Sequence, residues 1–336
     1  MTGQLTLDKA GPGLSIQDLG RDGGMGLGLS RGGAADRRAF LKGAALLGNP
    51  ADAAALEMTV GGGQFRVDAP TRIAISGATL RATIDGNALE HLASYALKPG
   101  EALRIGPPDT GVYGYLHVAG GLLSDKELGG RGRHRIAGLG PDLAPGDRLP
   151  FGDDPEPDAP PLRLSPDQPV DAPVRVIPGP QTGLFPKGIL ARFQDTVFIR
   201  SPRGNRQGVR MDHDGAPFAT EAQLGQVSDF ITEGDIQMTG DGTPFVLLAE
   251  CQTMGGYPRI GTVIPADLHR IAQARLDEEV RFRFIGFDEA EATWQTDEDL
   301  YRSFRKAREP RIRDPREMAD LLSYELIDRP DPDGAG

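Results

Sequence analysis

The sequence predicts a mainly β chain built as two related halves, with a few short helices and a charged helical tail. Three observations carry this. Glycine and proline are abundant, 46 and 28 of 336 residues, so turns are frequent and short strands are favoured over long helices. A motif recurs: Pro99 to Gly106 precedes a core run from Tyr113 to Gly121, and Glu233 to Gly240 precedes Val246 to Gly256. Each copy passes from a Gly-acidic start through a short strand to a core strand ending in Gly-Gly. Finally, the apolar alternation stops near residue 287 and charged, helix-compatible sequence follows.

In chain order, residues 4–8 form a first strand closed by Gly11-Pro12-Gly13. Ser15 to Asp36 is too glycine-rich to pack as a regular element, yet it carries Gln17, Asp18, Arg21, Arg31 and Asp36. Ordered loops of this length are usually functional. Asp36 is placed to cap a helix over 37–47, whose apolar residues fall at 40, 41, 44, 45 and 47, and Gly48-Asn49-Pro50 stops it. Strands follow at 56–60, 65–67, 72–76, 80–84, 102–105 and 112–118, each closed by Gly, Pro or Asp-Gly. Residues 122–148 are loops with an Arg/His cluster at 131–135, and 152–173, rich in Pro and Asp, reads as a linker. Strand restarts at 174–177, Ser201 to Gly208 is a second polar glycine loop, and helices are expected over 289–306 and 315–324 before a frayed end. The implied division is 1–151, a linker at 152–173, 174–286, and a tail from 287 to 336.

The totals exclude several classes. A net charge of −11 argues against a nucleic-acid or anionic-membrane partner. One cysteine, Cys251, allows no internal disulfide and suits a reducing, cytoplasmic setting; it reads as small buried filler. No run of eighteen apolar residues occurs, and the N-terminus lacks a signal pattern. There is no P-loop, no strand followed by G-x-G-x-x-G, and no H-x-x-x-H among five histidines, so no metal site is expected. His117, inside an apolar strand, is the histidine to check. Gly28-Leu29-Ser30-Arg31-Gly32 satisfies G-x-S-x-G, but the glycine-rich residues before it cannot form the strand a nucleophile elbow needs.

The stretch Val246 to Leu268 concentrates the remaining chemistry. An apolar run at 245–249 reads as a buried strand. Beyond it Gln252, Thr253, Tyr257 and Arg259 surround Gly255-Gly256 and Pro258. The glycine pair permits positive φ and close approach of a ligand to backbone N–H groups, and the proline stiffens the turn. Either this is a polar site hung on a core strand, or an ordinary decorated hairpin. Arg21, Arg206 and Arg259 are suited to holding an anion bidentately or to surface ion pairs; Asp18, Asp36, Glu57 and Asp267 serve as bases, caps or pair members.

Taken together, Gly11 to Arg21 (GPGLSIQDLGR), Ser30 to Asp36, Leu47 to Pro50 and Ala55-Leu56-Glu57 resemble the biotin-dependent carboxyltransferase family, also called allophanate hydrolase subunit 2 or Kip-antagonist. That family includes the C-type subunit of 5-oxoprolinase and part of urea carboxylase. Val176 to Gln181, Asn205-Arg206-x-Gly208, Gln252 to Pro258 and Ala266-Asp267-Leu268 extend the resemblance over about residues 4–285.

The resemblance implies two linked cyclophilin-like β-barrel halves. It also implies a subunit that opens a lactam or amide with ATP, working with a B-type, Kip-inhibitor-like partner and an A-type subunit. The alternatives it carries are carboxyl transfer from carboxybiotin to urea, and a non-catalytic regulatory protein that binds its partner. Under the leading reading Asp18, Glu57, Gln252 and Tyr257 are the catalytic candidates, and Arg21, Asn205, Arg206, Thr253, Gly255, Gly256 and Arg259 hold substrate or anion. Departures from the family pattern fall at Gly32, Gln207, Val209 and Gly130 to His134, and they point to a substrate other than 5-oxoproline or to reduced activity.

Overall fold

The computed structural model describes residues 3–311 apart from 169, 219 and 221–226. Nine strands drawn from residues 3–151 form one sheet and eight from residues 174–284 form another. One is a half-barrel and the other a nearly closed barrel, with few helices, as the mainly β expectation required.

The first sheet is organised on two long antiparallel strands, Thr71–Ile84 and Leu103–Val118. The sequence suggested two short strands in each place. The glycine at 77, at φ +83°, does not end its strand; it opens a run of register shifts between Gly77 and Ala82 that bend the ladder without breaking it. Helix α1, Arg37–Leu47, lies across these strands. Its start is fixed by Asp36, whose Oδ1 accepts the Ala39 N–H at 2.9 Å, and its end by Gly48 at φ +72°. Gly43 faces His117 so closely that a Cβ would come within 2.2 Å of the imidazole.

In the second sheet the expected strand at 174–177 pairs antiparallel with Arg259–Val263 and parallel with Phe282–Phe284. Two helices went unread in the sequence. Helix α2, Lys187–Asp195, buries Phe193 against Phe282 with the rings stacked at 5.1 Å. Helix α3, Pro265–Gln273, carries its proline in the first turn, where the missing N–H costs nothing. The supposed glycine loop at 201–208 is instead the end of strand Phe198–Asn205 and a tight turn into Gly208–Asp212, with Asn205 paired to Gly208. Asn205 Oδ1 accepts the Gln207 N–H at 2.7 Å and shapes that turn.

The single helix expected over 289–306 is two: α4, Phe287–Glu291, and α5, Asp297–Lys306. Thr296 restarts the helix with a capping box to Asp299. The helix expected at 315–324 and the frayed end lie outside the described residues. Helix α5 rests on α1, with Phe304 buried among Leu41, Ala45 and Leu46. The Pro/Asp-rich stretch after residue 151 is tied by its acids to the first sheet, to α1 and to the tail: Asp154 pairs with Arg72, Asp167 with Arg38 and Lys42, and Glu156 with Arg305 and Arg308.

The two sheets share a core. One apolar cluster contains Phe40, Tyr113 and Tyr115 from the first part and Val176, Phe198, Met211 and Ile260 from the second. Gln273, at the end of α3, completes the seam. Its Oε1 accepts the Val112 and Tyr113 N–H groups at 2.8 and 3.0 Å, and its Nε2 donates to Tyr113 O and Asp36 Oδ2, both at 2.8 Å. No helix among the described residues is long and apolar enough to cross a membrane.

Candidate functional site

At the seam sits a buried charge knot. Glu57 lies on the short strand Ala55–Met58, opposite Tyr115, and is wholly buried. Its Oε2 accepts the Ala35 N–H and the Tyr115 hydroxyl, both at 3.0 Å. Its Oε1 pairs with Nη1 of Arg206, which the turn after strand Phe198–Asn205 carries across from the second sheet. Arg206 Nε meets Glu250 Oε1 at 2.5 Å, and Nη2 donates to Gly33 O. Burial pulls the Arg206 pKa down, but Glu57 and Glu250 outweigh it and hold the guanidinium above its usual value. Glu250 Oε2 also accepts the Arg135 N–H at 3.0 Å, which ties the 131–135 loop into the knot.

Beside the knot, Ser30 Oγ and His134 Nε2 are 3.0 Å apart and both residues are buried. The Ala137 N–H points at His134 Nδ1 at 3.3 Å, so Nδ1 is an acceptor and Nε2 carries the proton. In that tautomer the imidazole donates to Ser30 rather than accepting its proton, the reverse of what a serine nucleophile needs. Burial lowers the His134 pKa, with Arg21 and Arg206 acting in the same direction.

Next to these groups a cleft of about 600 Å³ opens between three parts of the chain. The loop from residue 21 and the start of α1 supply Arg21, Ser30, Arg31 and Arg37; the turn before strand Asp235–Met238 supplies Glu233 and the loop after Pro244–Leu247 supplies Cys251, beside Leu268 and His269 of α3; the tail supplies Trp294 and Asp297. Arg21 is almost fully buried, with Nε on Glu127 O at 2.9 Å and Nη2 on Gly132 O at 2.8 Å. Its Nη1 finds no partner among the described residues. The same holds for the buried Oε1 of Glu233, whose pKa burial raises against the pull of Arg37 and Arg31. Three guanidinium groups and one carboxyl with a free oxygen form an arrangement that can receive an anion and move a proton.

Of the residues singled out in the sequence, Arg21 lines this cleft, and Glu57 and Arg206 meet behind it. Asp18 is a loop brace, accepting the Gly20 N–H at 2.9 Å and the Arg131 N–H at 2.6 Å. Thr253 Oγ1 donates to Gly28 O at 3.1 Å across the seam. Arg259 is held within the second part of the chain by Asp229, Asp235 and Phe230 O. Gln252, Tyr257 and Asn205 are exposed and lie outside the cleft, as does Gly256. Neither Gly255 nor Gly256 takes positive φ. Gly255 pairs with Asp229, and a Cβ there would lie 2.6 Å from Gln237 Nε2, so that side-chain end would have to shift.

Glu233 and Asp297 escaped notice in the sequence; Glu233 stands in the repeated Gly-acidic segment and Asp297 in the tail. Of the histidines, His117 is a core residue, 4.8 Å from the Phe40 ring, and burial drives its pKa down to about 3. Cys251 is buried, and that burial pushes its thiol up to about 12.

Comparison with known proteins gives a consistent result. The family described as carboxyltransferase domain, subdomain A and B, matches residues 27–284. The C-type subunit of 5-oxoprolinase from Escherichia coli K12 is 31% identical over 294 residues, 85% of this chain and 93% of that protein. Its Haemophilus influenzae counterpart is 30% identical over 284 residues, 82% of this chain and 89% of its own. The crystal structure of Kluyveromyces lactis urea amidolyase superposes with a TM-score of 0.80 at 23% identity, over 90% of this chain and 20% of that one.

Proposed function

Because the chain belongs to the family of carboxyltransferase domains with subdomains A and B, we propose that it is the C-type subunit of an ATP-dependent enzyme that opens a lactam or cyclic amide. The observation carrying this reading is the nearly end-to-end match to the 5-oxoprolinase C-type subunit, against a match to only a fifth of the urea amidolyase structure. In this reading the chain works with B-type and A-type subunits.

The chemistry asks for an activated amide carbon. ATP supplies the phosphoryl group that makes the lactam oxygen a leaving group. Water then adds to the carbonyl carbon, the ring C–N bond breaks with the nitrogen taking a proton, and a second water releases phosphate. The groups of this chain suited to assist face the cleft. Arg21, Arg31 and Arg37 fit a carboxylate or phosphate, and the guanidinium geometry favours planar anions. Glu233 is the group suited to proton transfer, because its Oε1 is unpartnered among the described residues and its pKa is raised. Asp18 and Glu57 are less suited, since their oxygens already accept two N–H groups in one case and bind Arg206, Ala35 and Tyr115 in the other.

The test is reconstitution. The chain is co-expressed with B-type and A-type subunits, and ADP release is followed with and without 5-oxoproline and related lactams. Lactam-dependent ATP turnover that requires this chain is the expected result. Absence of turnover with every lactam, together with carboxyl transfer from a biotinylated carrier, would overturn it in favour of the urea-carboxylase-like reading that the urea amidolyase fold keeps open.

A further inference from the structure

Deepening that reading, and resting on it, we propose that Arg31 and Arg37 form a carboxylate-binding site in the cleft, and that Asp297 of α5 is its internal occupant, displaced when a small carboxylate ligand binds. The geometry of the pair is that of ligand recognition. Arg37 presents Nε to Asp297 Oδ1 at 3.3 Å and Nη2 to Oδ2, the fork arrangement by which a guanidinium holds a planar carboxylate. Arg31 Nη2 reaches the same Oδ2 at 3.4 Å, while its Nε pairs at 3.2 Å with Asp22, whose side chain is 89% exposed. Two cations therefore converge on one carboxylate inside a cavity large enough for a metabolite.

The site is partly open, with side-chain exposures of 39% for Arg31, 17% for Arg37 and 29% for Asp297, so solvent reaches the pair and a ligand can compete for it. Burial, with Arg31 nearby, brings the Arg37 pKa down to about 10, which leaves the guanidinium charged at neutral pH. Glu233 stands within the field of both arginines with its Oε1 unpartnered among the described residues, which gives a carboxylate-bearing amide a proton-transfer group close to its anchor.

Apart from the ion pairs of Asp297 itself, the start of α5 is less fastened to the rest of the chain than its far end. The far end of α5 is fastened by Phe304 in the α1 core, by the Tyr301 hydroxyl donating to Asn49 O, and by Arg305 on Glu156 at 2.6 Å. Asp297 opens the helix, and the other polar bonds of that first turn, from Thr296, Glu298 and Asp299, stay within the helix and its cap. The family match ends at residue 284, so the cations lie inside the matched region and the carboxylate that fills them comes from beyond it.

Isothermal titration of the full chain tests this with three probes: malonate, 5-oxoproline and, as the uncharged control, 2-pyrrolidinone. A ligand that must first displace an internal occupant binds more weakly, its dissociation constant being the intrinsic one divided by the fraction of open sites. Asp297→Asn and Asp297→Ala are therefore expected to tighten malonate and 5-oxoproline at least about tenfold and to leave 2-pyrrolidinone unchanged. The double variant Asp297→Asn/Arg37→Gln is expected to lose that gain. Far-UV circular dichroism checks that α5 persists in each. No gain in either single variant with α5 intact, or a gain that survives in the double variant, overturns the proposal. If Asp297→Ala unfolds α5, Asp297→Asn, which keeps the side-chain shape, decides alone. The two readings fail separately. Tightened malonate binding with no lactam turnover sinks the lactam reading and leaves the carboxylate site, whereas lactam turnover with no effect of Asp297 on carboxylate affinity sinks the site alone.

Discussion

Arg206 is buried between two carboxylates from different parts of the chain, Glu57 and Glu250. Removing the cation leaves two negative charges in a dry interior, and breaking a buried pair costs about 3–5 kcal/mol. Arg206→Ala is accordingly expected to lower the denaturant midpoint by that equivalent or to prevent folding, and Arg206→Lys, which cannot span both acids with one planar fork, to recover only part of it. His117 makes a second prediction. Its folded pKa of about 3 lies below the unfolded value of about 6.5, so between these the unfolded chain binds the extra proton and stability falls as pH falls. From pH 8 to pH 5 the loss from this residue is about 2 kcal/mol, and His117→Phe is expected to flatten that part of the melting-temperature profile. Cys251, with its thiol near 12, should resist iodoacetamide at pH 8 until the protein is unfolded; modification of the native chain at the unfolded rate would contradict its burial.

At the scale of elements, Gly43 in α1 is the sharpest case. Helix propensity alone says that Gly43→Ala should stabilise by about 1 kcal/mol. The imidazole of His117 within 2.2 Å of the new Cβ says the reverse, and we expect a net loss of about 1–3 kcal/mol by chemical denaturation. The alternation of apolar residues made the strands legible from sequence, and Asp36 with Gly48 delimited α1, because caps and alternation are local signals. What local signals do not contain is whether a glycine ends a strand or bulges it, which is why Thr71–Ile84 and Leu103–Val118 read as four pieces. Helix α2 carries Gly188 in its first turn and α3 follows a strand directly, so neither offers a long apolar stripe, although Pro265 at the start of α3 was a usable sign.

For the whole molecule, the decisive fact is that a core and a polar seam join the two sheets, with Gln273, Arg206 and Thr253 reaching across. Arg21 could be picked from its glycine-rich loop, but the cleft it lines depends on pairings separated by hundreds of residues, such as Arg37 with Asp297. No spacing rule encodes those contacts, and the tail that supplies Asp297 lies beyond the family match. The polar turn after the core strand drew notice for its residue types, yet Tyr257 and Gln252 stand outside the cleft, and Arg259 is held by Asp229 and Asp235.

The cleft itself is where the account is most exposed, and Glu233→Gln in the reconstituted complex addresses it most directly. The substitution keeps size and shape while replacing the ionisable carboxyl of Glu233, whose buried Oε1 lacks a partner among the described residues, with an amide. If Glu233 transfers the proton, kcat for lactam-dependent ATP turnover falls about 10²–10⁴-fold while KM changes little. An unchanged kcat, with the variant folded and assembled, would contradict it.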